Sequence, residues 1–457
     1  MTFFSKWLRL VATVAAGLIP LLARAGEKAP NLLYILADDL GRGDYSAFGT
    51  ADVRTPHIDR LVREGMECVN FRANSCVCSP TRAALLTGCY PDRVGVPGVI
   101  RGEQPANSWG WLSAKAVLLP RVLHGAGYHS ALVGKWHLGL SAPNTPNERG
   151  FDFFKGFLGD MMDDYWTHLR NGRNLMRENT AVIEPEGHAT DLFTRWACEY
   201  LESRAGREDP FFLYLAYNAP HDPIQPPPQW LEKVRGREPG ISVKRAALVA
   251  LIEHMDAGVG AVLEKLDALG LAQNTLVVFT SDNGGVLSLG ANNGPWRGAK
   301  QQMYEGGLRV PCVARWPGRI APGSRTEQSL LTMDLFATAC EVAGVEPPAG
   351  IDGRSFLSTL RGSGGVVPGR AEYYVRREGG AAYGGKTIEA LREGDWKLLQ
   401  NSPFAPLELY NLREDPLETR DVAGKEKAVF ERMSAALRVH VQRGGVVPWQ
   451  PADGGAH

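Results

Sequence analysis

Reactive side chains in this 457-residue chain gather in a few short clusters. One is Cys78-Ser79-Pro80-Thr81-Arg82-Ala83-Ala84-Leu85-Leu86-Thr87-Gly88, which sets a thiol four residues before a guanidinium. Ser79 is a good helix cap, Pro80 suits a first helical position and Gly88 can end the helix. Cys78 is therefore expected just before a helix N-terminus, where free N–H groups favour an anion. Taken alone, such a cysteine is a reactive thiol or a small apolar core residue. A second group is Asp38, Asp39, Asp282 and Asn283. Hard oxygen donors of this kind select Ca²⁺ or Mg²⁺, and the same residue types also serve plain strand-to-loop turns. Lys135 and His137 lie two apart in Gly134-Lys135-Trp136-His137; His221 follows Asn218-Ala219-Pro220; Lys300 ends Trp296-Arg297-Gly298-Ala299-Lys300. Together these offer anion binding and proton transfer; singly, each is an ordinary solvated side chain.

The elements that must position these residues share one design. Continuous apolar runs at 31–37, 129–133, 211–217 and 275–280 each end in one of the polar clusters. Unbroken apolar runs suit strands covered on both faces. Helical stretches are predicted over 55–64, 118–126, 190–203 and 243–269, the last with apolar residues at helical spacing from Leu248 to Leu266. The alternation predicts an α/β domain with a large, mainly parallel sheet flanked by helices. Ligands of such sheets bind beyond the carboxyl ends of the strands, where all four clusters fall. A further strand is expected near 310–316 and a helix over 330–343. Pro347-Pro348-Ala349-Gly350 then divides a domain at 26–346 from a smaller one at 347–457. The latter reads as a small α+β domain: an antiparallel sheet (372–376, 387–392, 397–400, 408–411) with a helix over 425–442. The Gly-rich stretch 362–369 reads as a loop.

The Cys-x-Pro-x-Arg string followed by Leu86-Thr87-Gly88 resembles the signature of the type I sulfatases, within the alkaline phosphatase superfamily. The resemblance extends to Ile351-Asp352-Gly353-Arg354-Ser355 and Gly394-Asp395-Trp396-Lys397-Leu398, with Thr81 in place of a frequent serine. It implies an alkaline-phosphatase-like fold and hydrolysis of a sulfate monoester. It implies that Cys78 is converted to formylglycine by a formylglycine-generating or anaerobic maturation enzyme. It assigns Asp38, Asp39, Asp282 and Asn283, with residue 78, to one divalent cation, Ca²⁺ or alternatively Mg²⁺. Arg82 would hold the aldehyde hydrate, and Lys135 and Lys300 the sulfate. His137 would be the base that takes a hydrate proton, and His221, with Lys300, would protonate the leaving alcohol. A carbohydrate sulfate is the expected substrate, an aryl sulfate the alternative. Trp109, Trp111 and residues 160–173 are the expected pocket mouth, with Asp163, Asp164, His168 and Arg170 as weaker contacts.

The bulk properties fit an exported enzyme. The formal net charge is zero, which gives no argument for nucleic acid or an anionic membrane as partner. Residues 1–25 read as a signal peptide: Lys6 and Arg9, a short apolar run, then Ala23-Arg24-Ala25. That run is too short for stable membrane insertion. A secreted or periplasmic enzyme, cleaved near Ala25, is expected. Of seven cysteines, Cys68, Cys76 and Cys89 lie nearest the signature and are the expected disulfide partners. Two rival functions stand beside the sulfatase reading. One is a phosphate mono- or diesterase or phosphonate hydrolase of the same superfamily. The other is a secreted binding protein that never acquires formylglycine.

Overall fold

The computed structural model describes residues 28–102, 108–363, 369–379 and 385–449. The signal-peptide stretch 1–25 and most of the Gly-rich stretch lie outside the described residues. The main sheet has ten strands: β1 Asn31–Ala37, β2 Met66–Cys68, β3 His129–Lys135, β4 Phe153–Phe157, β5 Met176–Glu178, β6 Ala181–Val182, β7 Phe211–Ala216, β8 Thr275–Ser281, β9 Cys312–Arg315 and β10 Ser324–Thr326. Their order across the sheet is β10-β2-β9-β8-β1-β7-β3-β4-β5-β6. The five central strands, β8-β1-β7-β3-β4, are mutually parallel. Antiparallel pairs extend the sheet on both sides, through β9 beside β8 and β5 beside β4. The four apolar runs of the sequence are thus adjacent strands.

The helices in chain order are α1 Pro56–Glu64, α2 Cys78–Thr87, α3 Leu119–His124, α4 Ala189–Arg204, α5 Pro228–Arg237, α6 Val243–Ala268, α7 Asp334–Ala343 and α8 Lys427–Gly444. α6 is long and apolar enough to cross a membrane, yet it is buried inside the protein. It packs on α1, α4 and α5, so its apolar circumference is that of a core helix. The helix expected from Leu330 starts at Asp334. Leu330 and Leu331 pair instead with Phe71 and Arg72, and the Asp334 carboxylate accepts the Leu331 N–H at 2.8 Å.

A separate antiparallel sheet follows: β11 Glu372–Arg377, β12 Thr387–Glu393, β13 Trp396–Gln400 and β14 Glu408–Asn411, covered by α8. Its apolar core also takes in Cys76, Val77, Met303 and Leu308 from the main part of the chain. The seam carries buried charge. Glu305, 1% exposed, accepts from Arg72 at 2.7 Å and from Lys397 of β13 at 2.9 Å. Lys397, fully buried, also donates to Glu418 at 2.8 Å. Removing one member of such a network strands a buried charge. Lys397→Met is therefore expected to lower stability by about 3–5 kcal/mol, read from the urea midpoint. Arg413→Met breaks only the exposed Arg413–Asp395 pair and should leave that midpoint unmoved. Equal effects would show that the seam network is not a stabilising contact.

Candidate active site

The thiol helix starts two residues earlier than the sequence suggests. Cys78 is the first residue of α2, and the N-cap is Val77, whose extended backbone makes no side-chain cap. Ser79 does not cap the helix; its hydroxyl accepts the Ile100 N–H at 3.1 Å. Thr81 donates to the Ser75 carbonyl at 3.2 Å and accepts its N–H at 3.1 Å, so the departure from serine is accommodated. Gly88 ends the helix with φ +69°, as its position predicts. Cys78 is buried, with Sγ 3.6 Å from Asp38 Oδ1. Burial pushes its pKa well up, against the pull of Lys300 and Lys135. As a thiol it stays protonated at neutral pH and is a poor nucleophile.

The acids arrive from adjacent strand ends. Ala37 of β1 pairs with Ser281 of β8, so Asp38 and Asp282 leave the sheet side by side. Asp38, Asp282 and Asn283 are fully buried, and Asp39 nearly so. Arg82 reaches across from α2 and donates to Asp282 at 2.8 and 3.0 Å, with Asp38 at 3.3 Å. Lys135, at the end of β3, pairs with Asp38. Lys300 donates to Asp39 at 2.7 Å. Burial works against the Asp38 carboxylate, but Lys135, His221, Arg82 and Lys300 together hold its pKa far below the usual range. Burial and repulsion from Asp38 push Asp282 up, against Arg82. Three acids thus face three bases in a buried cluster.

Asn283 donates to Asp39 at 2.7 Å, while its Oδ1 is buried with no hydrogen-bond partner. A buried orphan acceptor is costly, and a cation is a natural occupant. Asn283 is tied to Asp39, and Asp282 accepts the Asp39 N–H at 3.2 Å, so Asp38, Asp39, Asp282 and Asn283 supply oxygen donors of the type that suits Ca²⁺ or Mg²⁺. Asp38, Asp39, Cys78 and His221 also lie close enough together to hold one ion. Asp39 (φ +65°) and His137 (φ +62°) both carry left-handed backbone, a strain that gathers at working sites.

His137 follows β3. Its Nε2 lies 2.9 Å from the Ile100 carbonyl, which can only accept, so Nε2 carries the proton. Nδ1 is then a lone pair, buried and unpartnered. Burial, then Lys135 and Arg82, hold the His137 pKa well below the ordinary imidazole value. The ring is a neutral base whose tautomer is fixed by Ile100, and Ile100 is itself held by Ser79 of the thiol helix.

His221 follows β7. Its Nδ1 lies 2.6 Å from the Asp222 carbonyl, which leaves Nε2 facing Lys300 Nζ at 3.0 Å. Tyr165, fully buried, clamps this loop: its hydroxyl lies 2.8 Å from the Asn218 carbonyl and 2.9 Å from that of His221. Tyr165 falls within the expected pocket mouth at 160–173 but holds carbonyls of a distant loop instead, and Ile100 is not marked by the sequence because it acts through its own carbonyl.

All ten site residues expected from the sequence converge. The expected pocket-mouth contacts mostly serve scaffolding. Arg170 bridges Asp160 and Asp163, at 2.8 Å each. Asp164 accepts the N–H groups of Trp166 and Thr167, and His168 bonds the Gly187 carbonyl. Trp109 stacks on Trp449 at 5.1 Å. The disulfide expectation is corrected: all seven thiols are free. Cys76 is buried and Cys89 half-buried, in the segments before and after α2, and the β2–β9 ladder sets Cys68 opposite Cys312. A cluster of His188, Asp191 and His254 lies elsewhere. There His188 is occupied at both nitrogens, by the Thr190 N–H and the Gln225 carbonyl, as a helix cap.

Comparison with known proteins gives concordant matches. Residues 30–345 match the family model described as Sulfatase, and residues 296–443 the one described as N-sulphoglucosamine sulphohydrolase, C-terminal. N-acetylgalactosamine-6-sulfatase of Mus musculus is 35% identical over 82% of this chain and 73% of its own length. Steryl-sulfatase of Mus musculus is 30% identical over 95% of this chain and 86% of its own length. The crystal structure of Ps i-CgsB in complex with k-i-k-neocarrahexaose superposes with a TM-score of 0.82 and 30% identity, covering 92% of this chain and 94% of that one.

The electrostatics of His137 can be read directly. Because its pKa is lowered, the ring should remain neutral as the pH falls through the ordinary value. Histidine-selective ¹⁵N NMR at pH 6 is expected to show it neutral with the proton on Nε2; a protonated ring at pH 6 would contradict the assignment.

Proposed function

The chain belongs to the sulfatase family, and we propose that it hydrolyses a carbohydrate sulfate monoester through a formylglycine at position 78. The family membership itself makes the protein a sulfuric ester hydrolase. The observation that carries the finer reading is the convergence of Asp38, Asp39, Asp282, Lys135, His137, His221 and Lys300 on Cys78 in a buried rim. The overall reaction is ROSO₃⁻ + H₂O → ROH + SO₄²⁻ + H⁺.

Asp38, Asp39, Asp282 and Asn283 would hold one Ca²⁺ or Mg²⁺, and the unpartnered Asn283 Oδ1 supports this set. The cation, when bound, supplies Lewis-acid stabilisation of charge on the sulfate oxygens. A hydrated aldehyde at position 78 supplies two hydroxyls on one carbon, one to attack sulfur and one whose deprotonation frees sulfate. Arg82, fixed between Asp38 and Asp282, is placed to orient that residue. Lys135 and Lys300 bring positive charge to the sulfate from opposite sides of the cluster. His137 accepts a proton at Nδ1, the nitrogen left bare by the Ile100 contact. Lys300 and His221 share one hydrogen bond and stand ready to deliver a proton to the leaving oxygen at Lys300 Nζ or His221 Nε2.

The buried thiol supports the modification. Held protonated, it offers neither a thiolate nor a second hydroxyl, so turnover calls for conversion by a formylglycine-generating or anaerobic maturation enzyme. A carbohydrate ester is favoured by the names of the relatives, one acting on N-acetylgalactosamine-6-sulfate and one solved with a neocarrahexaose. We further propose that residues 26–346 carry the chemistry with 347–457 as support, and that residues 1–25 direct export to the periplasm or outside the cell.

Mass spectrometry of the tryptic peptide holding residue 78, from protein made in a maturation-competent host, should show formylglycine; a thiol in an active enzyme would sink the mechanism. Cys78→Ala should lower kcat on 4-nitrophenyl sulfate by about 10³-fold or more. EDTA should abolish turnover, and added Ca²⁺ or Mg²⁺ should restore it. Faster turnover of 4-nitrophenyl phosphate than of the sulfate would favour the esterase rival, and a screen of sulfated oligosaccharides against a steryl sulfate tests the substrate class.

A further inference from the structure

A cleft of about 320 Å³ opens outside the catalytic cluster, lined by Trp166, Thr167, His168, Asn174, Ile183 and Glu184 among others. It lies on the rim that carries the site. Met176, which begins β5 and also lines the cleft, pairs with Phe157 at the carboxyl end of β4. Trp166 follows Tyr165, whose hydroxyl holds the His221 loop. The cleft and the proton-donating side of the site are thus joined by one buried side chain.

Its chemistry is specific. Trp166 is 47% exposed, the large aromatic left most open among the described residues except Phe404. Its position is fixed all the same: its ring meets His188 edge-on at 5.2 Å, and its backbone N–H is tied to Asp164 at 2.8 Å. His188 is locked at both nitrogens. A rigid indole with a free face is an apolar platform that needs no ordering when a ligand arrives. Beside it, Glu184 is exposed and offers a carboxylate to hydroxyl donors. The same carboxylate repels a second sulfate. A face for C–H groups, an acceptor for hydroxyls and a negative charge together select a neutral sugar ring. The volume lies at the low end of ligand pockets, about 300–1,000 Å³, and suits one sugar unit.

We propose that this cleft is a subsite for an unsulfated pyranose unit of the same glycan whose sulfate ester is cleaved at residue 78. This rests on the carbohydrate-sulfate reading above and adds that the enzyme grips its substrate at two separated points. Arg170 is paired with Asp160 and Asp163, and Arg177 donates to the Asn174 and Met176 carbonyls at 3.1 and 2.9 Å, so both guanidinium groups are held by protein acceptors.

The test compares a long and a short ester on the matured full-length enzyme. Trp166→Ala is expected to raise KM about tenfold for a sulfated neocarrahexaose while leaving kcat/KM for 4-nitrophenyl sulfate as it was. Trp166→Phe should restore most of the hexasaccharide affinity. A KM that does not move, or one that rises equally for both esters, overturns the subsite. Binding separates this inference from the sulfatase reading. Cys78→Ala enzyme should bind the desulfated hexasaccharide in calorimetry and lose that binding with Trp166→Ala. Hydrolysis of neither ester would sink the functional reading alone; no calorimetric binding by the parent would sink the subsite alone.

Discussion

Everything at the rim follows from the cost of burying carboxylates. Asp38 and Asp282 leave neighbouring parallel strands one residue past the last paired positions and are fully buried. Unpaired, each would lose several kcal/mol of hydration. The fold answers with cations from three other places: Arg82 from the thiol helix, Lys135 from the end of β3 and Lys300 from the loop before Glu305. Each cation therefore has a structural duty as well as a position for chemistry. With three acids and three bases the cluster is nearly neutral, so a divalent cation there would leave it positive and receptive to an anionic ester. The orphan oxygen of Asn283 points to the same balance.

Much of this was legible in the sequence because parallel sheets make side-chain placement a matter of strand ends. Asp38, Lys135, His221 and Asp282 each follow an apolar run, and adjacent parallel strands bring such ends together whatever their separation along the chain. The strands β1, β3, β7 and β8 could be read for the same reason. What could not be read depends on tertiary pairing. β5 and β6 are three and two residues long, too short for a periodicity to show. Leu330 and Leu331 have the composition of a helix start but are captured by Phe71 and Arg72. Cys78 starts α2 two residues early, with Ser79, an excellent cap by type, spent on the Ile100 N–H.

The C-terminal sheet takes part in the site without lending it a reactive group. Lys397 of β13 neutralises Glu305, and the segment 296–307 between β8 and β9 carries both Glu305 and Lys300. On the other flank, Arg376 of β11 pairs with Glu378 at 3.1 Å, and Glu378 pairs with Arg101 at 2.9 Å. Arg376 also contacts the Gln301 carbonyl at 3.5 Å, where Gln301 holds a left-handed φ of +75°. The sheet thus braces the lysine loop from one side and, through Glu378 on Arg101 and the Val99 N–H, both neighbours of the tautomer-setting Ile100 from the other. Its apolar cluster includes Cys76 and Val77, the residues just before the thiol helix, so the packing of the small sheet reaches the nucleophile position itself.

This bracing makes residue 78 and His137, the proposed nucleophile and base, one mechanical unit. Ser79 lies next to Cys78 and fixes the Ile100 N–H; the carbonyl of that same Ile100 fixes His137 Nε2. A peptide unit cannot turn its carbonyl without moving its flanking N–H groups, because the peptide plane and two dihedrals per residue tie them together. Any shift of α2 relative to the sheet therefore reorients the imidazole, and a ring turned the other way would present a proton where a lone pair is required. The motif around Cys78 can be read as a site for chemical modification alone. Its second residue gives it another role: it carries the position of residue 78 to His137, 59 residues away in sequence, through two hydrogen bonds, and so would keep the two steps of the proposed mechanism, attack and proton removal, in register.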